Sequence, residues 1–406
     1  MFLDEAFRLG RRLSGAAIRH AGRCTWLGDD IVAGNGMWQR TAGTLGPDFG
    51  TGTAGVGWFL ARLSSATQDG AMATVAAEAL LQSLQGAAGL IANRRLGFHG
   101  GATGLAWAAV DAGRTLGCEE LVDKGLQTGL QAAHAASAET DNADSPGLWH
   151  GSAGILAGLL GLADLSGEPE FLTAASRSAD RLIEVISRWT LSSNPSAPLP
   201  SGESRSVVGL AEGASGIGVT LAAWSVRAGE PRAREAAAEA LRIERSWCSS
   251  AMGWYGASAH PWADEVMVSR SLCSGAAGIG IARLGAYVVM DAPNLLAEAG
   301  AAIDLIRRAP IRPDASDTSL CHGTAGEIEL LITASTTLSE RSHLDAARRL
   351  GARIVGAAQA PGDYGSGLGE GCHSPSLLFG LAGTGLVLLR LHDPALASGA
   401  ALPILK

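Results

Sequence analysis

Three side chains in this sequence have the types and the register to hold a soft metal ion. Cys321 and His322 stand side by side in SLCHGTAG (residues 319–326), immediately ahead of an apolar helical pattern. Cys273 takes the matching place in SLCSGAAG (residues 271–278). Two thiolates and an imidazole suit zinc, and three protein ligands leave a fourth position open, as catalytic zinc sites do. A helix N-terminus also favours the thiolate form of a nearby cysteine. The competing reading, small buried residues at tight helix contacts, describes many free cysteines. The shared register favours the metal.

That register is set by seven Gly-x-x-Gly pairs: Gly52/Gly55, Gly101/Gly104, Gly151/Gly154, Gly213/Gly216, Gly275/Gly278, Gly323/Gly326 and Gly380/Gly383. Their first glycines are 48 to 62 residues apart, an internal repeat. Directly before them stand Thr51, Gly100, His150, Glu212, Ser274, His322 and Phe379. One residue earlier stand Gly50, His99, Trp149, Ala211, Cys273, Cys321 and Leu378. Polar and ligating types gather in the middle motifs, while the first and last look inert. Glu212 and His150 are the candidate proton donors and acceptors. Their bland readings are a helix-end charge for Glu212 and a hydrogen-bonded structural histidine for His150. Cys24, Cys118 and Cys248 read as packing residues in or beside outer helices. Cys372-His373 lies out of register, eight residues before Gly380, and reads as a loop near the site.

Each motif is followed by an apolar, small-residue helix pattern such as ILAGLLGLADL or IGIARLGAYVV. Between these lie amphipathic patterns with charged faces, such as RAREAAAEALRIERSW (232–247). Helices apolar nearly all round suit an inner ring, and helices polar on one face suit an outer one. The expectation is an all-α fold: an α/α toroid (barrel) of seven helical hairpins, forming a single domain over residues 1–406. Residues 4–23 show helical periodicity, the segment 24–40 breaks it, and strand signals are sparse. Two long loops, 190–208 and 251–271, precede the fourth and fifth motifs and are expected to wall the motif end. Net charge is −8 without a basic stripe, which argues against nucleic-acid binding. No apolar run reaches membrane-spanning length by inspection, and MFLDEAFRLGRRL is not a secretory signal. Six cysteines without dense spacing fit a reducing, cytoplasmic setting.

Over essentially its whole length the chain resembles the lanthionine synthetase C-like (LanC-like) cyclases. LGPDFGTGTAG, SLCSGAAGIGIARL, SLCHGTAGEIELL and LLFGLAGTG read like the cyclase domains of bifunctional lanthipeptide synthetases. The length leaves no room for a dehydratase or kinase domain, so a stand-alone cyclase working with separate dehydratase or kinase-lyase enzymes is expected. The resemblance implies Zn2+ on Cys273, Cys321 and His322. It also implies addition of peptide cysteine thiolates to dehydroalanine or dehydrobutyrine in a dehydrated precursor peptide, forming (methyl)lanthionine rings. Two positions depart from the family pattern: Glu212 stands where a histidine is usual, and Gly147 where an aspartate is common. Arg270 approximates an arginine often found upstream of the fifth-motif cysteine. By resemblance, then, Glu212 or His150 handles the proton and Arg270 stabilises the enolate. The runner-up is a non-catalytic, zinc-stabilised scaffold that binds the modified peptide and supports a partner dehydratase. A helical-toroid glycoside hydrolase or lyase would need paired carboxylates, and only Glu212 stands in register. A further alternative keeps the zinc but activates an external small thiol.

Overall fold

The computed structural model describes residues 1–406 except 35–36, 139–144, 192–207, 247, 250–252, 255–268, 310–316, 359–363, 370, 398 and 405–406. Most of the two expected insertions, 190–208 and 251–271, therefore lies outside the described residues.

The chain begins with α1 (Phe2–Ala16) and two antiparallel hairpins, β1–β2 (Ile18–His20, Arg23–Thr25) and β3–β4 (Leu27–Gly34, Met37–Thr44). Helical hairpins follow. The inner helix α2 (Thr53–Thr67) packs on the outer α3 (Gly70–Gln85), which is trailed by the short α4 (Ala87–Ala92). Then come α5 (Ala102–Leu116) with α6 (Glu119–Ser137), α7 (Ser152–Ser166) with α8 (Pro169–Leu191), and α9 (Ala214–Ala228) with α10 (Pro231–Arg245). After the short pair β5 (Cys248–Ser249) and β6 (Gly253–Trp254), α11 (Ala276–Met290) packs with α12 (Pro293–Arg308) and α13 (Thr324–Leu338) with α14 (Arg341–Ala357). The last inner helix, α15 (Leu381–His392), takes α1 as its outer partner, so the two ends of the chain complete the seventh hairpin.

Local sequence explains the hairpins. Inner helices are buried on every side: α7 is buried without interruption from Ser152 to Ala163. Outer helices bury one stripe, as α10 does with Leu241 and with Ala233, Ala236, Ala237 and Ala240, four small side chains that let the inner helix approach closely. The reversal after the first six inner helices uses one left-handed residue: Gln68, Gly117, Gly167, Gly229, Asp291 or Ser339. Pro169, Pro231 and Pro293 then open the next helix, where a missing N–H costs nothing.

The inner helices touch in the order α2, α5, α7, α9, α11, α13, α15 and back to α2, which closes the ring. The expected all-α toroid of seven hairpins is the observed fold. The C-terminal segment packs against this ring: Ala400, Ala401 and Leu402 are buried, and Gly399 lies against Trp107 and Trp58 of inner helices.

Two local expectations fail, the extent of the first helix and the absence of a long apolar stretch. The helix expected over 4–23 ends at Ala16, because residues 18–25 fold back as β1–β2. The break at 24–40 is largely the β3–β4 hairpin, with Asn35-Gly36 between its strands, a pair that favours tight hairpin turns. The stretch Gly70–Ala92 is apolar and long enough to cross a membrane by length and composition. It comprises α3 and α4, which meet at Gly86, and α3 buries a Met72/Val75/Ala76/Ala79/Leu80 stripe against the inner ring.

Candidate functional site

The first glycine of every motif is the N-cap of an inner helix, with extended backbone and φ between −95° and −143°. These glycines are therefore not needed for left-handed geometry. They are needed for space. A Cβ on the second glycine would fall on the carbonyl oxygen six residues earlier, 1.6 Å away at Gly104 and 2.5 Å at Gly326. Each loop is thereby pressed onto its own helix entrance.

The seven loops are also sewn to one another. Gly50 N–H donates to His99 O, Gly100 to Trp149 O, Trp149 to Ala211 O, and Ala211 to Cys273 O. Leu272 N–H then donates to Cys321 O, Cys321 to Leu378 O, and Leu378 to Gly50 O, at 2.8, 2.8 and 2.9 Å. This closed circuit of backbone bonds runs through the register read from the sequence. It fixes the relative positions of side chains from motifs far apart in the chain.

In that circuit Cys273, Cys321 and His322 come together, their ligand atoms all within 4.8 Å of one another. Cys321 is buried, while Cys273 and His322 are partly open. A hydrogen bond from Cys321 holds the Cys273 thiol well below its usual range, whereas burial pushes the Cys321 thiol up. Burial opposes charge on His322, but the neighbouring Cys273 outweighs it and raises the imidazole. Two sulfurs and one nitrogen at this spacing fit a dication of intermediate softness such as zinc. The His322 ring stacks on Phe379, with centroids 5.5 Å apart, and its Nδ1 lies 3.4 Å from Gly367 O. An Nδ1–H donated there would leave Nε2 for a metal.

Glu212 and His150 also meet, with Nδ1 and Oε1 3.6 Å apart. Ser145 Oγ donates to Glu212 Oε2 at 3.0 Å, and the His150 backbone N–H also serves the carboxylate. Burial raises the Glu212 carboxyl to about 7 in spite of these bonds. Burial, reinforced by Arg95, lowers His150. The space for this carboxyl comes from Gly147, where a Cβ would stand 1.8 Å from Glu212 Oε2. Arg270 forms an ion pair with Glu327 in the first turn of α13, Nε to Oε1 3.2 Å.

Several neighbours escaped sequence reading. Ser145 precedes the third motif, and its hydroxyl donates to Glu212. Phe379, which looks inert in register, sits between His322 and Trp149 (ring centroids 6.3 Å from the latter). A cavity of about 220 Å³ between the β3–β4 hairpin and the motif loops is lined by Asp30, Thr44, Thr51, Ser376 and Phe379 among others. Cys372-His373 is indeed loop: His373 exchanges backbone bonds with Asp29 of β3, at 2.8 Å and, through the Asp29 carboxylate, 2.6 Å. Cys24 is buried beside an outer helix as expected: it lies on β2 against α3, with its thiol on Val75 O and pushed to about 12 by burial. Cys118 caps the start of α6 and packs against the core, and the Cys248 side chain lies outside what is described.

Among solved structures, nisin cyclase superposes with a TM-score of 0.59 at 16% identity, covering 85% of this chain and 88% of its own. A Listeria innocua protein (TM-score 0.47, 11% identity, 71% and 83% coverage) and a heparin-specific unsaturated glucuronyl hydrolase (0.49, 10%, 97% and 96%) are more distant. No curated protein sequence matches. The family model described as lanthionine synthetase C-like protein matches residues 43–403, from the end of β4 through the buried C-terminal segment. The chain belongs to the lanthionine synthetase C-like family.

Proposed function

We propose that this protein is a zinc-dependent peptide cyclase acting as one toroidal domain over residues 1–406. Its substrate is a dehydrated ribosomal precursor peptide delivered by separate dehydratase or kinase-lyase enzymes, in the cytoplasm. The observation that carries the reading is the Cys273/Cys321/His322 cluster at the shared register of a LanC-like toroid. Cys273, Cys321 and His322 would hold the zinc, which when bound would favour the thiolate form of a peptide cysteine.

The reaction forms a bond between that sulfur and the β-carbon of dehydroalanine or dehydrobutyrine. The π electrons move toward the carbonyl as an enolate, and a proton must then reach the α-carbon. Glu212 suits the role of donor, because partial burial raises its carboxyl to about 7 and leaves a large protonated fraction below that pH. Ser145 and the His150 backbone orient it, and His150, 3.6 Å away, is placed to restore its proton. Arg270, anchored by Glu327 and three residues ahead of Cys273, is the cation proposed for the enolate oxygen.

Elemental analysis of purified protein should find about one zinc per chain, with little in Cys321→Ala. The native protein should consume the free thiol of a dehydrated peptide without change in peptide mass. Equal metal in both proteins would refute the ligand set. A zinc-loaded native protein that closes no ring would favour a non-catalytic scaffold that supports a partner dehydratase.

A further inference from the structure

We infer that the outer wall of the toroid carries a docking groove for an acidic, amphipathic segment of the peptide substrate, lined by Arg307, Arg349 and Arg353. The identity of the occupant as substrate rests on the cyclase reading. The groove itself does not. It is a cavity of about 240 Å³ between the end of α12, the middle of α13 and the second half of α14, with Ile306, Leu331 and Leu350 among its apolar lining.

Arginines elsewhere in this chain are commonly neutralised: Arg245 by Glu298, Arg308 by Asp304 and Arg270 by Glu327. Among the described residues, none of the three groove guanidiniums has a hydrogen bond or ion pair. All three are exposed. Arg349 and Arg353 are four residues apart on one face of α14, a like-charge spacing that disfavours the free helix. Three unneutralised cations around one concavity, in a chain of net charge −8, call for an anionic occupant.

The apolar lining decides which anion. A free phosphate gains nothing from Ile306, Leu331 and Leu350, whereas an amphipathic segment buries an apolar side chain there and presents carboxylates to the rim. One helical turn separates Arg349 from Arg353 by about 6 Å along the axis, which equals the spacing of carboxylates at i and i+4 on a helical partner. Place supports the substrate as occupant. Inner helices start at the motif end and their outer partners return toward it, so the C-terminal halves of α12 and α14 lie at the end that carries Cys273, Cys321 and His322. A peptide anchored on this rim has its remaining length on the same side as the metal cluster.

The test uses the full-length protein and a fluorescein-labelled helical peptide with leucines on one face flanked by glutamates at i and i+4. A counterpart carries lysine for every glutamate. Fluorescence anisotropy compares the native protein with Arg349→Glu/Arg353→Glu, whose fold is checked by circular dichroism. The acidic peptide should bind the native protein, and bind about tenfold or more weakly to the reversed variant. Added salt should weaken the native complex. Equal affinity for both proteins, equal binding of the lysine peptide, or no binding to the native protein would overturn the proposal. Full displacement by millimolar inorganic phosphate would do so too, by making the groove a small-anion site. Ring closure on a short dehydrated peptide lacking any acidic segment is measured in parallel and should be unchanged by the reversal. Failure of closure in both proteins counts against the cyclase reading, and the anisotropy comparison still decides the groove.

Discussion

Replacing Gly147 by alanine asks whether the Glu212 carboxyl is held in place for chemistry. Gly147 is not among the glycines with positive φ, so its backbone accepts an L side chain. The obstacle is space: an added Cβ would stand 1.8 Å from Glu212 Oε2, 2.5 Å from Cδ and 2.9 Å from Cα. Rotating the glutamate relieves the first two contacts but gives up the Ser145 hydrogen bond and the approach to His150. The third contact is with backbone and demands a small loop shift. An overpacking cost of about 1–3 kcal/mol is expected. Ring closure should fall about a hundredfold, the scale for losing a positioned acid. The assay follows loss of free thiol in a dehydrated peptide near pH 6, with the zinc content of each variant measured first. Glu212→Ala should be equally slow, and adding Gly147→Ala to it should cost little more, because the displaced group is already gone. Native-rate closure by Gly147→Ala would refute the role given to Glu212. A double variant much slower than Glu212→Ala would instead place the defect in the loop and not in the carboxyl.

Closure by the native protein should lose rate as pH rises through about 7, where Glu212 gives up the proton it is to donate. His150, His99, Arg95 and Asp48 are among the charged or titratable neighbours that share this region. In Glu212→Gln that limb should disappear, and an unchanged pH–rate profile would remove the carboxyl from the mechanism. Away from the site, Arg283 is fully buried between Glu244, also fully buried, and Glu298. Arg283→Ala would leave Glu244 without its cation and should destabilise by about 3–5 kcal/mol in urea unfolding. Pairing Arg283→Met with Glu244→Leu should recover most of that loss. A single variant within 1 kcal/mol of native, on the ~1 kcal/mol scale of exposed ion pairs, would mean the pair contributes little.

What could be read from sequence depended on the range of the cause. The glycine pairs are legible because their constraint is local: each second glycine faces a carbonyl six residues back in its own motif, so every copy carries the mark. Cys273 and Cys321 are legible because the backbone circuit makes equal register mean adjacency in space. Seven hairpins are legible as a number, but the pairing that makes the seventh is not, because α1 and α15 lie at opposite ends of the chain and no periodicity links them. The β3–β4 hairpin had a visible cue in Asn35-Gly36, which the helical repeat overshadowed. Gly147 and Glu212 are the instructive case. Read in order they stand 65 residues apart and look like two separate departures, an aspartate lost and a histidine replaced. The toroid sets the third motif beside the fourth, where Leu148 N–H donates to Ala211 O at 2.6 Å, and the two positions compete for one volume. A side chain at 147 and the observed position of the Glu212 carboxyl exclude each other. The glycine leaves room for that position, so the two departures are coupled in space: the carboxylate reaches the volume beside 147 from the neighbouring loop.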